Sequence, residues 1–116
     1  MYEKTFNENV CLYDVDQTLV TFKIIPGTQP IVIPRDDGNN AILYPIQENI
    51  EKLRESHLRG HYVRVHSAGG VKWAEEVVLA LKIHNYVDSI ETKPKWYCDD
   101  EPAEMWMRRF YGEKRV

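Results

Sequence analysis

Apolar residues in this chain fall into short runs that end at acids, glycines or prolines. Val10 to Tyr13 is such a run, and it stops at Asp14, the pattern of a buried parallel strand. Pro30 to Ile33 and Ala41 to Tyr44 read as extended pieces. The turn formers PRDDGNN lie between them, which predicts a β-hairpin. Pro30 and Pro34 suit an edge or free hairpin better than a central strand. From Ile46 to Arg59 the apolar positions Ile46, Ile50, Leu53 and Leu58 recur near helical spacing, and Gly60 supplies the stop. Tyr62 to His66 is the next strand. A second amphipathic helix follows over Val71 to Ile83, with Trp73, Val77, Val78, Leu81 and Ile83 as its apolar face. A short strand is expected at Ser89 to Glu91. A third apolar run, Trp96 to Cys98, ends at Asp99 and Asp100, and Pro102 opens a final helix to about Tyr111. Strands alternating with helices predict an α/β fold around a parallel sheet.

At 116 residues the chain predicts one domain, residues 1–116, with no internal repeat or linker. Its composition, 43% hydrophobic and 28% charged, is that of an ordinary globular protein. A net charge of −3 gives no bulk attraction to nucleic acid or acidic membranes. No run approaches membrane-spanning length, and the opening MYEKTFNENV lacks signal-peptide character, so a cytoplasmic location is expected. Cys11 and Cys98 both sit in apolar runs and read as buried, reduced thiols.

The chemistry is concentrated where strands end. In open parallel sheets, ligands sit beyond the carboxyl ends of the strands. Asp14 and Asp16 follow the first strand, Ser67 the second, and Asp99 and Asp100 the last. Carboxylates gathered in one place repel each other and call for a cation. All-oxygen ligands suit Mg²⁺, which commonly partners phosphate. Ser67 is followed by Ala68, Gly69 and Gly70 where a helix begins, a setting for anion binding. Lys93 precedes the last run and offers a positive charge, with Lys95 as its rival. Bland readings stand beside these: helix capping for the aspartates, a plain N-cap for Ser67, and a dipole role for Asp99 and Asp100. His57 and His61 are four apart, but Gly60 lies between them and no third ligand is evident, so they read as surface histidines. Trp73, Trp96 and Trp106 read as packing residues, and Arg108, Arg109, Lys114 and Arg115 as a solvated tail.

These stretches resemble the haloacid dehalogenase superfamily. YDVDQTL resembles its first motif, VRVHSAGG its second, and ETKPKWYCDD its third and fourth, in the family's order over residues 10–100. Gln17 departs from the glycine that many members carry. The resemblance implies a three-layer Rossmann-like parallel sheet with helices on both faces. It further implies a Mg²⁺-dependent phosphatase working through an aspartyl-phosphate. Asp14 is then the nucleophile and Asp16 the general acid, whose backbone carbonyl also reaches the metal. Ser67 and Lys93 hold the phosphoryl oxygens, with Ala68 and Gly69 beside them. Asp100 is the direct metal ligand, Asp99 acts through water or bonds Lys93, and the two can exchange roles. Thr18 braces the loop with its hydroxyl.

Only the region from Lys23 to Tyr44 separates the first motif from the first helix, which is a flap and not a cap domain. A cap-less, open site suits large phosphorylated substrates, or closure by a second subunit of a homo-oligomer. Nucleic acid 3′-phosphate ends are one such substrate class, disfavoured by the acidic charge and the lack of a basic stripe. The flap tip, Arg35 to Gly38, is the expected specificity element. The competing reading is a catalytically silent module of the same fold that binds phosphate or a partner.

Overall fold

The computed structural model describes residues 9–109. In chain order its elements are strands β1 (Val10–Asp14), β2 (Val20–Thr21), β3 (Ile31–Pro34) and β4 (Asn40–Pro45), helix α1 (Gln47–Leu58), strand β5 (Tyr62–Ser67), helix α2 (Val71–Ala80) and strand β6 (Ser89–Thr92). Single 3₁₀ turns lie at His84–Tyr86 and Ala103–Met105. β1, β5 and β6 form a parallel sheet in the order β1-β5-β6. β2, β4 and β3 form a second, antiparallel sheet in the order β2-β4-β3.

Register explains which side of the parallel sheet is dry. Cys11 aligns with Val63, Tyr13 with Val65, and Val65 with Ile90, so these share one face. They belong to one core cluster with Ile50 and Leu53 of α1 and Ala74, Val77 and Val78 of α2. The alternate positions, Leu12, Arg64 and Glu91, form the other face, where Arg64 and Glu91 make an ion pair. Both helices therefore pack on one face. The crossovers from β1 to β5 and from β5 to β6 step in the same direction, and right-handed crossovers then fall on the same side. The expected helical layer on the second face is not formed among the described residues. A chain must cross back past β1 to build one.

The hairpin is docked more firmly than a free flap. Along β3 and β4 the side chains alternate: Ile33, Ala41 and Leu43 are buried in the core, while Val32 and Ile42 are exposed. β2 adds a third strand that the sequence reading omitted, because two residues carry no period. At the tip, the Arg35 N–H bonds the Asn39 carbonyl at 3.1 Å, and Gly38 takes φ +86°, which glycine adopts without Cβ strain.

α1 matches its expected span, with Arg59 as C-cap and Gly60 at φ +86° after it. α2 stops at Ala80, three residues before the expected end. Lys82 turns into the left-handed region at φ +60°, yet Ile83 is still fully buried. The apolar pattern outlasts the helix because the returning chain fills the same core.

The largest departure is C-terminal to β6. Trp96 to Cys98 forms no strand: Trp96 is 89% exposed and Tyr97 64%. Cys98 is exposed and not buried as expected, while Cys11 is half-buried; both are free thiols. The helix expected from Pro102 is a single 3₁₀ turn, and its expected end at Tyr111 lies outside the described residues. Lys114 and Arg115 also lie outside them. Among the described residues, no helix is long and apolar enough to cross a membrane.

Candidate functional site

Asp14 is the last residue of β1, and the chain then folds sharply. Val15 is fully buried, and its carbonyl accepts the N–H groups of Thr18, Leu19 and Val20 at 3.2, 2.9 and 3.2 Å. The Gln17 N–H closes the loop on the Val20 carbonyl at 2.7 Å. Gln17 sits at φ +66°, a conformation glycine accepts more readily, so the side chain there carries some backbone strain. The Thr18 carbonyl accepts a hydrogen bond from Asn49 Nδ2 at 2.9 Å. The loop is thus braced through the Thr18 backbone by a buried asparagine of α1.

Lys93 follows β6 directly. Its backbone N–H bonds the Ser67 carbonyl at 2.8 Å, and its Nζ lies 3.9 Å from Asp14 Oδ2. Lys95 makes no such contact, so Lys93 is the lysine that reaches the aspartate. Asp16 projects toward α2, where Trp73 Nε1 donates to Asp16 Oδ1 at 3.2 Å.

Ser67 ends β5 at 0% exposure. Its Oγ accepts the Gly69 N–H at 3.0 Å, and its carbonyl accepts that of Gly70 at 3.1 Å. Gly70 is the N-cap of α2, without a side-chain cap, so Ser67 is a turn-former and not an N-cap. The Val71 N–H is taken by Thr92 Oγ1 at 3.1 Å. The Gly69 N–H expected to face an anion is therefore already engaged, and the Ser67 hydroxyl is enclosed.

Asp99 and Asp100 are not gathered with Asp14 and Asp16. Asp99, Asp100 and Glu101, all exposed, have ligand oxygens within 4.8 Å of one another and form the described residues' one acidic or metal-ligand trio. Asp99 Oδ1 accepts the Glu101 N–H at 3.0 Å within that loop. The missing Trp96–Cys98 strand is the physical reason: without an element to carry them, the two acids stay on a surface loop. His57 and His61 are partly exposed, and neither belongs to a metal-ligand cluster among the described residues. His57 packs edge-on against Tyr86, and His61 Nδ1 lies 3.3 Å from Cys11 Sγ.

A cleft of about 550 Å³ opens beside Asp14, bordered by Thr18, Asn49, His66 and Lys93 and by the segment from Trp106 to Arg109. Two buried side-chain atoms of the described residues lack a hydrogen-bond partner, Asn49 Oδ1 and His66 Nδ1, and both residues border this cleft. Unsatisfied buried polar atoms cost stability, and both of these residues line the one cleft. Burial lowers the His66 pKa below its ordinary 6.5, against the opposing pull of nearby Asp14; Lys93 pushes it down further. His66 is the register partner of Asp14.

Sequence reasoning missed Asn49, His66 and Trp73. Asn49 lies beside Ile46, Ile50 and Leu53 on the apolar stripe of α1, and a polar residue on a buried stripe was the available signal. Comparison of the chain with protein-family profiles, with curated proteins and with solved structures finds no match.

Proposed function

We propose that this protein is a phosphohydrolase that transfers a phosphoryl group to Asp14 and then to water, as a small, cap-less relative of the haloacid dehalogenase superfamily. The observation that carries the reading is the Lys93 amine 3.9 Å from the Asp14 carboxylate at the carboxyl end of a parallel sheet, with Asp16 two residues on. An Asp14 oxygen bonds to phosphorus as the bond to the leaving-group oxygen breaks, and Asp16 gives its proton to that oxygen. Water next attacks phosphorus and gives a proton back to Asp16. The bond to Asp14 breaks, and inorganic phosphate leaves. Lys93 offsets the charge on the phosphoryl oxygens throughout. Ser67 joins it only after releasing the Gly69 N–H, and Ala68 and Thr18 line the same turn and loop.

The donor set suits Mg²⁺, since Asp14 and Asp16 offer only oxygen ligands. Asp14 and Asp16 would hold it, while Asp99 and Asp100 stay on the surface loop and are not gathered with them. When bound, the ion neutralises charge on the phosphoryl group. A site without a cap domain suits phosphorylated macromolecules as well as small esters, and nucleic acid 3′-phosphate ends are the less favoured class.

Two observations favour a second reading, a silent phosphate- or partner-binding module: Ser67 is enclosed, and the Asp99–Asp100 pair is not gathered with Asp14. Phosphate release with Mg²⁺ separates the two. The panel is p-nitrophenyl phosphate, acetyl phosphate, a phosphopeptide and a 3′-phosphorylated oligonucleotide. The phosphatase reading expects release that is lost in Asp14→Asn and on chelation. A folded wild type that releases nothing from any of them leaves the binding module.

A further inference from the structure

We infer that Trp73 is the positioning residue for the proton-donating Asp16, and that Arg35 of the hairpin tip clamps Trp73 in place. The inference rests on the phosphatase reading and extends it to how the leaving group is handled.

Two contacts meet at one indole, which also packs closely over a glycine. Its Nε1–H donates to Asp16 Oδ1 at 3.2 Å, fixing one oxygen of a carboxylate that stands on a loop. A Cβ added at Gly69 would lie 3.1 Å from the indole Cδ1 and 3.3 Å from Ser67 Oγ, so the ring packs closely over the bare glycine. The Arg35 guanidinium lies 5.2 Å from the ring centroid, within cation–π range. Trp73 itself stands in the first turn of α2, a rigid support.

A carboxyl group on a loop must meet the departing oxygen at hydrogen-bond distance to protonate it, and small misplacements lower the rate steeply. With one oxygen held by Trp73, the other is free to face that departing oxygen. The same indole borders a groove of about 390 Å³ with Arg35, Gly69, Lys72 and Glu76. The hairpin tip reaches the acid through Arg35 and Trp73.

The test is a series of aryl phosphates of graded leaving-group acidity, from p-nitrophenyl to unsubstituted phenyl phosphate, hydrolysed by the full chain with Mg²⁺. Trp73→Phe keeps the ring and removes the N–H. Proton donation matters most for poor leaving groups. Trp73→Phe should lose about a hundredfold on phenyl phosphate and only a few-fold on p-nitrophenyl phosphate. Arg35→Ala should show a weaker loss with the same trend. In an Asp16→Ala background, Trp73→Phe should add nothing.

An equal loss for every leaving group, or no loss, in an otherwise active enzyme overturns the inference and leaves the phosphatase standing. An inactive wild type overturns both. Independently of turnover, the Trp73 indole N–H resonance should shift in Asp16→Ala, and an unmoved resonance contradicts the contact.

Discussion

The sheet from β1 to β6 and the stretch from Lys93 to Arg109 begin from similar sequence and end differently. Val10–Asp14 and Trp96–Asp100 are both apolar runs closed by acids. The first pairs along its length with β5 and delivers Asp14 beside Lys93. The second has no strand partner, leaves Trp96 89% exposed, and strands its acids on a loop. The difference lies in what each run can bury. Tyr13 of β1 enters a core already framed by Leu53, Val65 and Val78. The other edge of β1 is bordered by a cleft with the Trp106–Arg109 segment, and no described strand pairs there. An apolar run becomes a strand when an edge and a dry face are both on offer.

The comparison is broken most severely through the core. Leu53→Ala should destabilise the domain by about 2–5 kcal/mol, measured by urea unfolding, since Leu53 is fully buried between α1 and the sheet. A cost below that of a surface substitution would mean the core is not where the contacts place it.

Asn49→Ala should cost about 1–3 kcal/mol by leaving the Thr18 carbonyl without its side-chain donor. It should also slow phosphate release by loosening the loop that carries Asp16. Unfolding and turnover measured on the same preparation separate the two effects, and stability lost without activity would show that the brace is structural alone.

His66 predicts a pH signature. Its folded-state pKa lies below its ordinary 6.5, so the unfolded chain binds that proton more readily. Its contribution to stability is complete above pH 6.5 and is lost as pH falls toward the folded-state value. His66→Gln should flatten that part of the stability profile, and an unchanged slope would assign the acid sensitivity to the carboxylates instead.

The smallest effect should fall in the exposed stretch. Trp96→Ala should change stability by less than about 0.5 kcal/mol. A larger loss would show that this run is packed in solution.

What the sequence made legible follows the same divide. Strands and helices with a clear period and a buried face, such as Tyr62–Ser67 and α1, could be read directly, and so could the acid and lysine at the strand ends. The chain's local pattern holds Asp14 and Lys93 because each adjoins a strand end, and Asp16 because it stands two residues beyond Asp14. Asp99 and Asp100 depended on a strand that needs long-range pairing, which no local pattern encodes. The Ser67 hydroxyl was read as facing a ligand, but its own turn offered a nearer donor in the Gly69 N–H. Trp73 was read as packing because an indole on an apolar stripe gives no sign of where its N–H will point. The enclosed register partner His66 was hidden in an ordinary alternation of strand residues.

The central claim is that Asp14 takes the phosphoryl group, and the most direct measurement is to catch it there. The full chain is mixed rapidly with acetyl phosphate and Mg²⁺, quenched in acid, digested and mapped by mass spectrometry. One phosphoryl group is expected on the peptide containing Asp14, absent in Asp14→Asn and longer-lived in Asp16→Asn, where water is no longer activated. Phosphate release from the wild type with no modification of Asp14 at any quench time, or an active Asp14→Asn, would contradict it.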